Sequence, residues 1–267
     1  MQLSMIVEKW DAIMFEIYNV LADLKWIVVK RKYSKIVEKN RRFKDLYIGN
    51  RCFILLNGPS LKEHDLSYLE NEVVFTTNYF YKSEIADVVK PDFICWQDSK
   101  FLITDECMKI KSEVKKKLPS TKMIFNIRGY RKNEQEDNVF YTYNKHLPNW
   151  YSISNDLSNN CSAFSTVAFY AINCAIYMGF KEIYVLGLDF GPGGFKHFTN
   201  LGVECDDPRL MNNKREVCTE YWSYAKAHFE SFALNKFAIK KKCRIVNLNP
   251  ESYIRAFEFG EYEKIFK

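Results

Sequence analysis

From Cys52 onward, short apolar runs rich in β-branched and aromatic residues alternate with stretches of helical periodicity, and this alternation constrains the fold more than any other feature. The runs Cys52–Leu56, Val73–Thr77, Asp92–Gln97, Lys122–Ile127, Val139–Tyr143, Glu182–Gly187 and Arg244–Leu248 have the length of strands. Helical patterns fall at roughly Asp105–Lys117, Ser165–Met178, Glu220–Lys240 and Ser252–Phe257. Strands that look buried on both faces, each followed by a helix, imply an α/β fold with a mostly parallel sheet wound on both sides. Such sheets bind ligands beyond the carboxyl ends of their strands, which is where chemistry is to be sought.

The first fifty residues read differently. Trp10, Ile13, Met14, Ile17, Tyr18, Leu21, Leu24 and Val28 recur at helical spacing, and Lys30, Arg31, Lys32, Lys35, Lys39, Arg41, Arg42 and Lys44 follow. Residues 1–51 carry eleven Lys/Arg and six Asp/Glu, a net +5 of the chain's +6. The remaining body is near neutral, so no nucleic-acid groove is expected. The division expected is an amphipathic basic helical extension over 1–50 and a catalytic domain over 51–267. Glu16, Asp23 and Lys25 break the apolar stretch too often for a transmembrane helix. Its stripe either packs on the body or on a second subunit of a homo-oligomer, or lies on an anionic membrane surface with residues 1–44 as the tether. Eight cysteines without a C-x-x-C pair, set mostly in apolar runs, read as reduced buried thiols. Together with the lack of a signal peptide at the start, they lead us to expect a cytoplasmic protein, peripheral at the inner face of the membrane.

Three strand ends deliver polar side chains to one edge. After the first strand, Asn57-Gly58-Pro59-Ser60-Leu61 makes a tight turn. Gly58 permits a close backbone approach, Pro59 suits a first helical position, and Asn57 and Ser60 offer groups that can read a nucleotide. Asn78 ends the second strand; Gln97 and Asp98, within Trp96-Gln97-Asp98-Ser99, end the third. A strand-to-helix turn with an ordinary polar cap explains any one of these equally well. Three together favour a shared pocket. Asp189 stands at the tip of Gly179-Phe180-Lys181-Glu182-Ile183-Tyr184-Val185-Leu186-Gly187-Leu188-Asp189-Phe190, either capping a turn or serving the site. The glycines that follow carry His197, the best-placed general base of the four histidines; His228 sits in a helical pattern and reads as core or surface. Asp206-Asp207 reads as a solvated loop, and no acidic cluster suggests a metal site.

Asn57-Gly58-Pro59-Ser60-Leu61, Thr77-Asn78, Trp96-Gln97-Asp98-Ser99 and the Gly179–Phe190 segment together resemble bacterial sialyltransferases that add the outer sugars of lipo-oligosaccharide. They also resemble the related group of motility-accessory transferases and 6-hydroxymethylpterin pyrophosphokinase-like proteins. The resemblance runs in islands from about Cys52 to Phe257. It implies a single Rossmann-like domain of the glycosyltransferase-A type, with a CMP-sugar donor and no obligatory cofactor or metal. By position it assigns Asn57, Gly58, Ser60 and Asn78 to the nucleotide, Gln97 to the ribose side, and Asp189 and Phe190 to the acceptor side; Pro59, Asp98, Ser165 and Thr166 complete the expected nucleotide-binding set. Ser165-Thr166 stands where the sialyltransferases have a Ser-Gly pair, and Gly191 replaces their tyrosine.

The leading expectation is a glycosyltransferase that moves a sugar, sialic acid or a related acidic one, from a nucleotide sugar to a surface-glycan or lipid-linked acceptor. His197 and Asp189 are its candidate catalytic groups. The alternatives are a pterin pyrophosphokinase-like enzyme using ATP and Mg²⁺, and a non-catalytic assembly module on the same fold.

Overall fold

A computed structural model describes residues 2–98, 102, 105–132, 136–145, 152–190 and 214–266. Its centre is an eight-stranded sheet built from β1 (Arg51–Leu55), β2 (Val73–Thr77), β3 (Phe93–Trp96), β4 (Lys122–Asn126), β5 (Val139–Thr142), β8 (Glu182–Leu186), β9 (Arg244–Asn247) and β10 (Glu258–Phe259). The order across the sheet is β10-β9-β8-β1-β2-β3-β4-β5, and every neighbouring pair is parallel. The expected doubly wound α/β sheet is therefore present, and all seven expected strands fall within a residue or two of their observed ends. A separate parallel ribbon joins β6 (Asn144–Lys145) to β7 (Cys161–Ser162).

Alternation along the strands splits the core into two layers. Cys52, Ile54, Phe75, Phe93, Cys95 and Ile183 face α4 (Val167–Tyr177) and α5 (Lys214–Lys240). Phe53, Leu55, Val74, Ile94, Trp96 and Phe125 face the layer containing α2 (Ile85–Val89) and α3 (Glu106–Lys117). Every residue of α4 from Ala168 to Tyr177 is buried, as expected of a helix that is apolar nearly all round. The connection from β1 to β2 is made by two short 3-10 turns, Pro59–Glu63 and Leu66–Leu69, in place of a full helix. Cys52, Cys95, Cys107, Cys161, Cys174 and Cys243 are buried and form no disulfide among the described residues.

One expected helix is absent. Over Ser252–Phe257 the chain turns irregularly into β10. The cause is local competition for backbone donors. The Asn247 side chain accepts from Asn249 N at 3.1 Å, that of Asn249 from Glu251 N at 2.9 Å, and that of Ser252 from Ile254 N at 3.2 Å.

The N-terminal helix α1 (Gln2–Val37) lies along the β5 edge of the sheet, where an uncovered strand would expose its backbone. Trp26 is its anchor. The indole is 3% exposed, sits 4.4 Å from the Tyr143 ring, and donates to Asn159 Oδ1 at 2.7 Å. Asp23 Oδ1 receives Lys145 Nζ at 2.6 Å and Asn160 Nδ2 at 2.8 Å. Just past the helix, Asn40 donates to Tyr141 O at 2.7 Å and Leu157 O at 2.8 Å, and Phe43 packs edge-on against Phe140. The second half of the extension is thus built into the fold. Among the described residues, no helix is long and apolar enough to cross a membrane.

Candidate functional site

The strand order changes direction at β1: β2 to β5 extend one way, β8 to β10 the other. The crevice of such a sheet opens beyond the carboxyl ends of the two strands at this switch, β1 and β8. The Asn57–Ser60 turn and the Gly187–Asp189 turn leave the sheet at that point.

The two turns are stitched together. The β1–β8 ladder continues past both strands, with Leu56 N donating to Leu186 O at 2.9 Å and Gly58 N to Gly187 O at 3.0 Å. The approach leaves no room for side chains. A Cβ on Gly58 would lie 2.3 Å from Gly187 O and 2.5 Å from Asp189 Oδ2. Gly187 has φ of +71°, and its Cβ would lie 2.6 Å from Leu56 O. Pro59 opens the 3-10 turn, and Gly58 gives that turn no side-chain cap. Asp189 caps it from across the crevice. It accepts Ser60 N on Oδ2 at 3.0 Å, and its Oδ1 accepts both the Ser60 hydroxyl and Asn249 Nδ2, the latter at 2.7 Å. The carboxylate holds three loops in place, so it acts first as a positioning group. Asp189→Ala leaves an amide, a hydroxyl and a side-chain amide short of their acceptor. It is expected to lower stability by about 2 kcal/mol, whereas Asp189→Asn, which keeps an acceptor, is expected to cost less. Urea denaturation of the two variants checks the difference.

On the other side of β1, Asn78 follows β2 with a left-handed backbone, φ +50°, and its buried Oδ1 has no hydrogen-bond partner among the described residues. Asn57 is partly exposed, and its side chain makes no hydrogen bond among the described residues. Gln97 is placed differently from its two neighbours. Its Nε2 donates to Phe164 O and its Oε1 accepts from Phe164 N at 3.2 Å, so the amide is committed to clamping the loop that enters α4. Asp98 follows it on the exposed edge. In the same loop, Thr166 caps α4 by accepting from Ala168 N at 3.3 Å.

Ser165, exposed at this edge, leads to a group that the sequence reading did not single out. Its backbone N donates to Glu230 Oε2 at 2.8 Å, and its hydroxyl donates to the same oxygen. Glu230 is 1% exposed, and burial pushes its carboxyl up to about 7 against the pull of the Ser165 hydrogen bonds. A signal existed: Glu230 interrupts the buried row Ala227, Ser231, Leu234 and Ala238 at helical spacing. Phe190, φ +47°, packs edge-on against Tyr224 at 5.2 Å and His228 at 6.4 Å. Burial lowers the pKa of His228. His197 and Asp206-Asp207 lie outside the described residues. Among the described residues, no group of three His, Cys, Asp or Glu side chains is arranged to hold a metal.

A wholly parallel sheet with its polar turns gathered at the switch point defines a doubly wound, Rossmann-like α/β domain. The chain belongs to the 6-hydroxymethylpterin diphosphokinase MptE-like family, whose model matches residues 19–193. The match runs from the docked part of α1 through the Asp189 turn, in accord with the resemblance read from the motifs. Two solved structures are similar in outline. The MAf glycosyltransferase from Magnetospirillum magneticum AMB-1 is 14% identical, with a TM-score of 0.49 over 85% of this chain and 38% of that one. The monofunctional alpha-2,3-sialyltransferase Cst-I from Campylobacter jejuni is 19% identical, with a TM-score of 0.43 over 79% of each chain. This chain thus spans well under half the length of the MAf protein. No curated protein matches it.

Proposed function

We propose that the protein is a glycosyltransferase that holds a nucleotide sugar, CMP-linked, over the β1–β8 switch and transfers its sugar to a glycan or lipid-linked acceptor. One observation carries this reading. At the switch point two turns approach closely at Gly58 and Gly187 beside strand-end amides, and the buried amide oxygen of Asn78 has no donor among the described residues. An unsatisfied buried acceptor is costly, and a nucleobase amino group or ribose hydroxyl supplies the missing donor. Neutral amides suit a base and a sugar better than a cluster of phosphates and metal. In the proposed step the acceptor hydroxyl oxygen bonds to the anomeric carbon as the bond to the nucleotide phosphate breaks. The proton passes to a base, for which His197 remains our candidate.

A second reading is favoured by the family's description, 6-hydroxymethylpterin diphosphokinase-like. Pyrophosphoryl transfer from ATP requires Mg²⁺ held by carboxylates. Asp189, the acid of the turn after β8, already accepts three protein hydrogen bonds, which supports the first reading.

Thermal shift with CMP, UDP, and ATP plus Mg²⁺ tests the two, since a ligand bound only by the folded state raises Tm. CMP is expected to give the largest shift. Asn57→Ala is expected to weaken CMP binding at least about tenfold, the loss of one to two hydrogen bonds. Asn78→Gly, which keeps the left-handed backbone, is expected to do the same. A shift with ATP and Mg²⁺ alone transfers the assignment to the diphosphokinase; no shift with any nucleotide leaves an assembly module.

A further inference from the structure

Helix α1 has two faces, and the fold accounts for one. Asn19, Asp23, Trp26, Tyr33 and Val37 face the body. Half a turn away, Trp10, Met14, Ile17, Leu21, Leu24 and Val28 follow each other at alternating steps of four and three residues, and all are exposed. Ile13, Val20 and Ile27 widen the stripe on one flank. The exposure is large: 62% for Trp10, 66% for Ile27 and 80% for Val28. The stripe runs for about 27 Å along the helix, at 1.5 Å per residue. An apolar strip of this length on a folded surface marks an interaction site.

The charges identify the occupant. The same row continues beyond Val28 into Arg31 and Lys35, with Lys25 and Lys32 beside it, and all four are exposed. Lys39, Arg41, Arg42 and Lys44 extend the basic surface past the helix end. Glu16 and Asp23, seven residues apart, share a row on the opposite side, and Asp23 is engaged by Lys145 and Asn160. A second copy packed in parallel would set Arg31 and Lys35 against their own counterparts. An anionic lipid surface receives both parts: the apolar stripe enters the acyl boundary, while the lysines and arginines reach headgroup phosphates.

We propose that this face of α1 lies flat on an anionic bilayer surface, with Trp10 to Val28 immersed and Arg31 to Lys44 against the headgroups. The docked face then fixes the body on the membrane through Trp26 and Asp23, with Asn40 just past the helix. The proposal is independent of the transferase reading, because it concerns the β5 edge of the sheet and not the switch crevice.

Co-sedimentation of the full chain with vesicles tests it. The protein is expected to pellet with phosphatidylglycerol–phosphatidylcholine vesicles, to pellet less as salt rises, and to stay in solution with phosphatidylcholine alone. Leu21→Glu/Leu24→Glu and Arg31→Glu/Lys35→Glu change exposed positions, so both are expected to fold. Each is expected to lower partitioning at least about tenfold. Sedimentation velocity run in parallel supplies the opposing outcome. A dimer dissolved by Leu21→Glu/Leu24→Glu, without vesicle binding by the unaltered chain, overturns the proposal and gives the stripe to a second copy. Equal binding to neutral and anionic vesicles, or none to either, overturns it as well.

Discussion

Replacing Gly58 by alanine is expected to cost about 3 kcal/mol of stability or more and to abolish nucleotide binding. The added methyl would stand 2.3 Å from Gly187 O and 2.5 Å from Asp189 Oδ2, and neither atom is free to move away. Gly187 O accepts Gly58 N, and Asp189 is held by Ser60 and Asn249. Relief requires the β1 and β8 turns to part, which opens the crevice at its base. For a domain of this size the loss is on the order of 10 °C in Tm. Gly49 is the control. Its φ of +84° makes alanine unfavourable there too, but nothing lies within 4 Å of its Cβ. Gly49→Ala is therefore expected to cost about 1 kcal/mol, from backbone conformation alone, and to leave nucleotide affinity unchanged. A Gly58→Ala protein with the melting temperature and affinity of Gly49→Ala would show that the turns are loosely joined in solution.

The sheet was legible because fully buried parallel strands leave a simple mark: a short apolar run between turn signals. Val73–Thr77 came out at its observed ends for that reason. The Ser252–Phe257 segment misled because its apolar spacing resembles a helix, while Asn249 and Ser252 take the amides a helix would need. At the site, the asparagine and glutamine at successive strand ends look alike in sequence. Tertiary contacts separate them: Gln97 is consumed by the Phe164 backbone, and the buried oxygen of Asn78 has no partner among the described residues. Asp189 was visible as a strand-tip acid, but its three donors come from turns about 130 residues before it and 60 after it. No local pattern reports such partners. The stripe and charge of α1 were legible too. Its two-faced use was not, because Trp26 and Asp23 gain their meaning only from Tyr143, Lys145 and Asn160.

Glu230→Gln is expected to stabilise the protein at pH 8 and to leave it nearly unchanged at pH 5. Burial raises the Glu230 carboxyl from 4.5 to about 7, opposed by Ser165 N, the Ser165 hydroxyl and the charge of Lys226. The folded state therefore holds a proton that the unfolded chain has released between these two values. Stability from this group is fully present below pH 4.5 and is lost as pH rises through about 7. The full loss corresponds to about 3 kcal/mol, at 1.36 kcal/mol per unit. Glutamine retains a carbonyl oxygen for Ser165 and has no proton to lose, so the difference between the two proteins should open with pH across that window. Chemical denaturation of both at pH 5, 6, 7 and 8 measures it directly, and subtracting one curve from the other removes every titration they share. A Glu230→Gln protein less stable than the parent at pH 8 would mean that Ser165 and Lys226 keep the carboxylate ionised in the core. The consequence reaches the site edge, because the loop that Ser165 ties to Glu230 is the one clamped by Gln97. A carboxylate forced to ionise beneath it would loosen the entrance to α4 and the loop that Gln97 clamps at the end of β3.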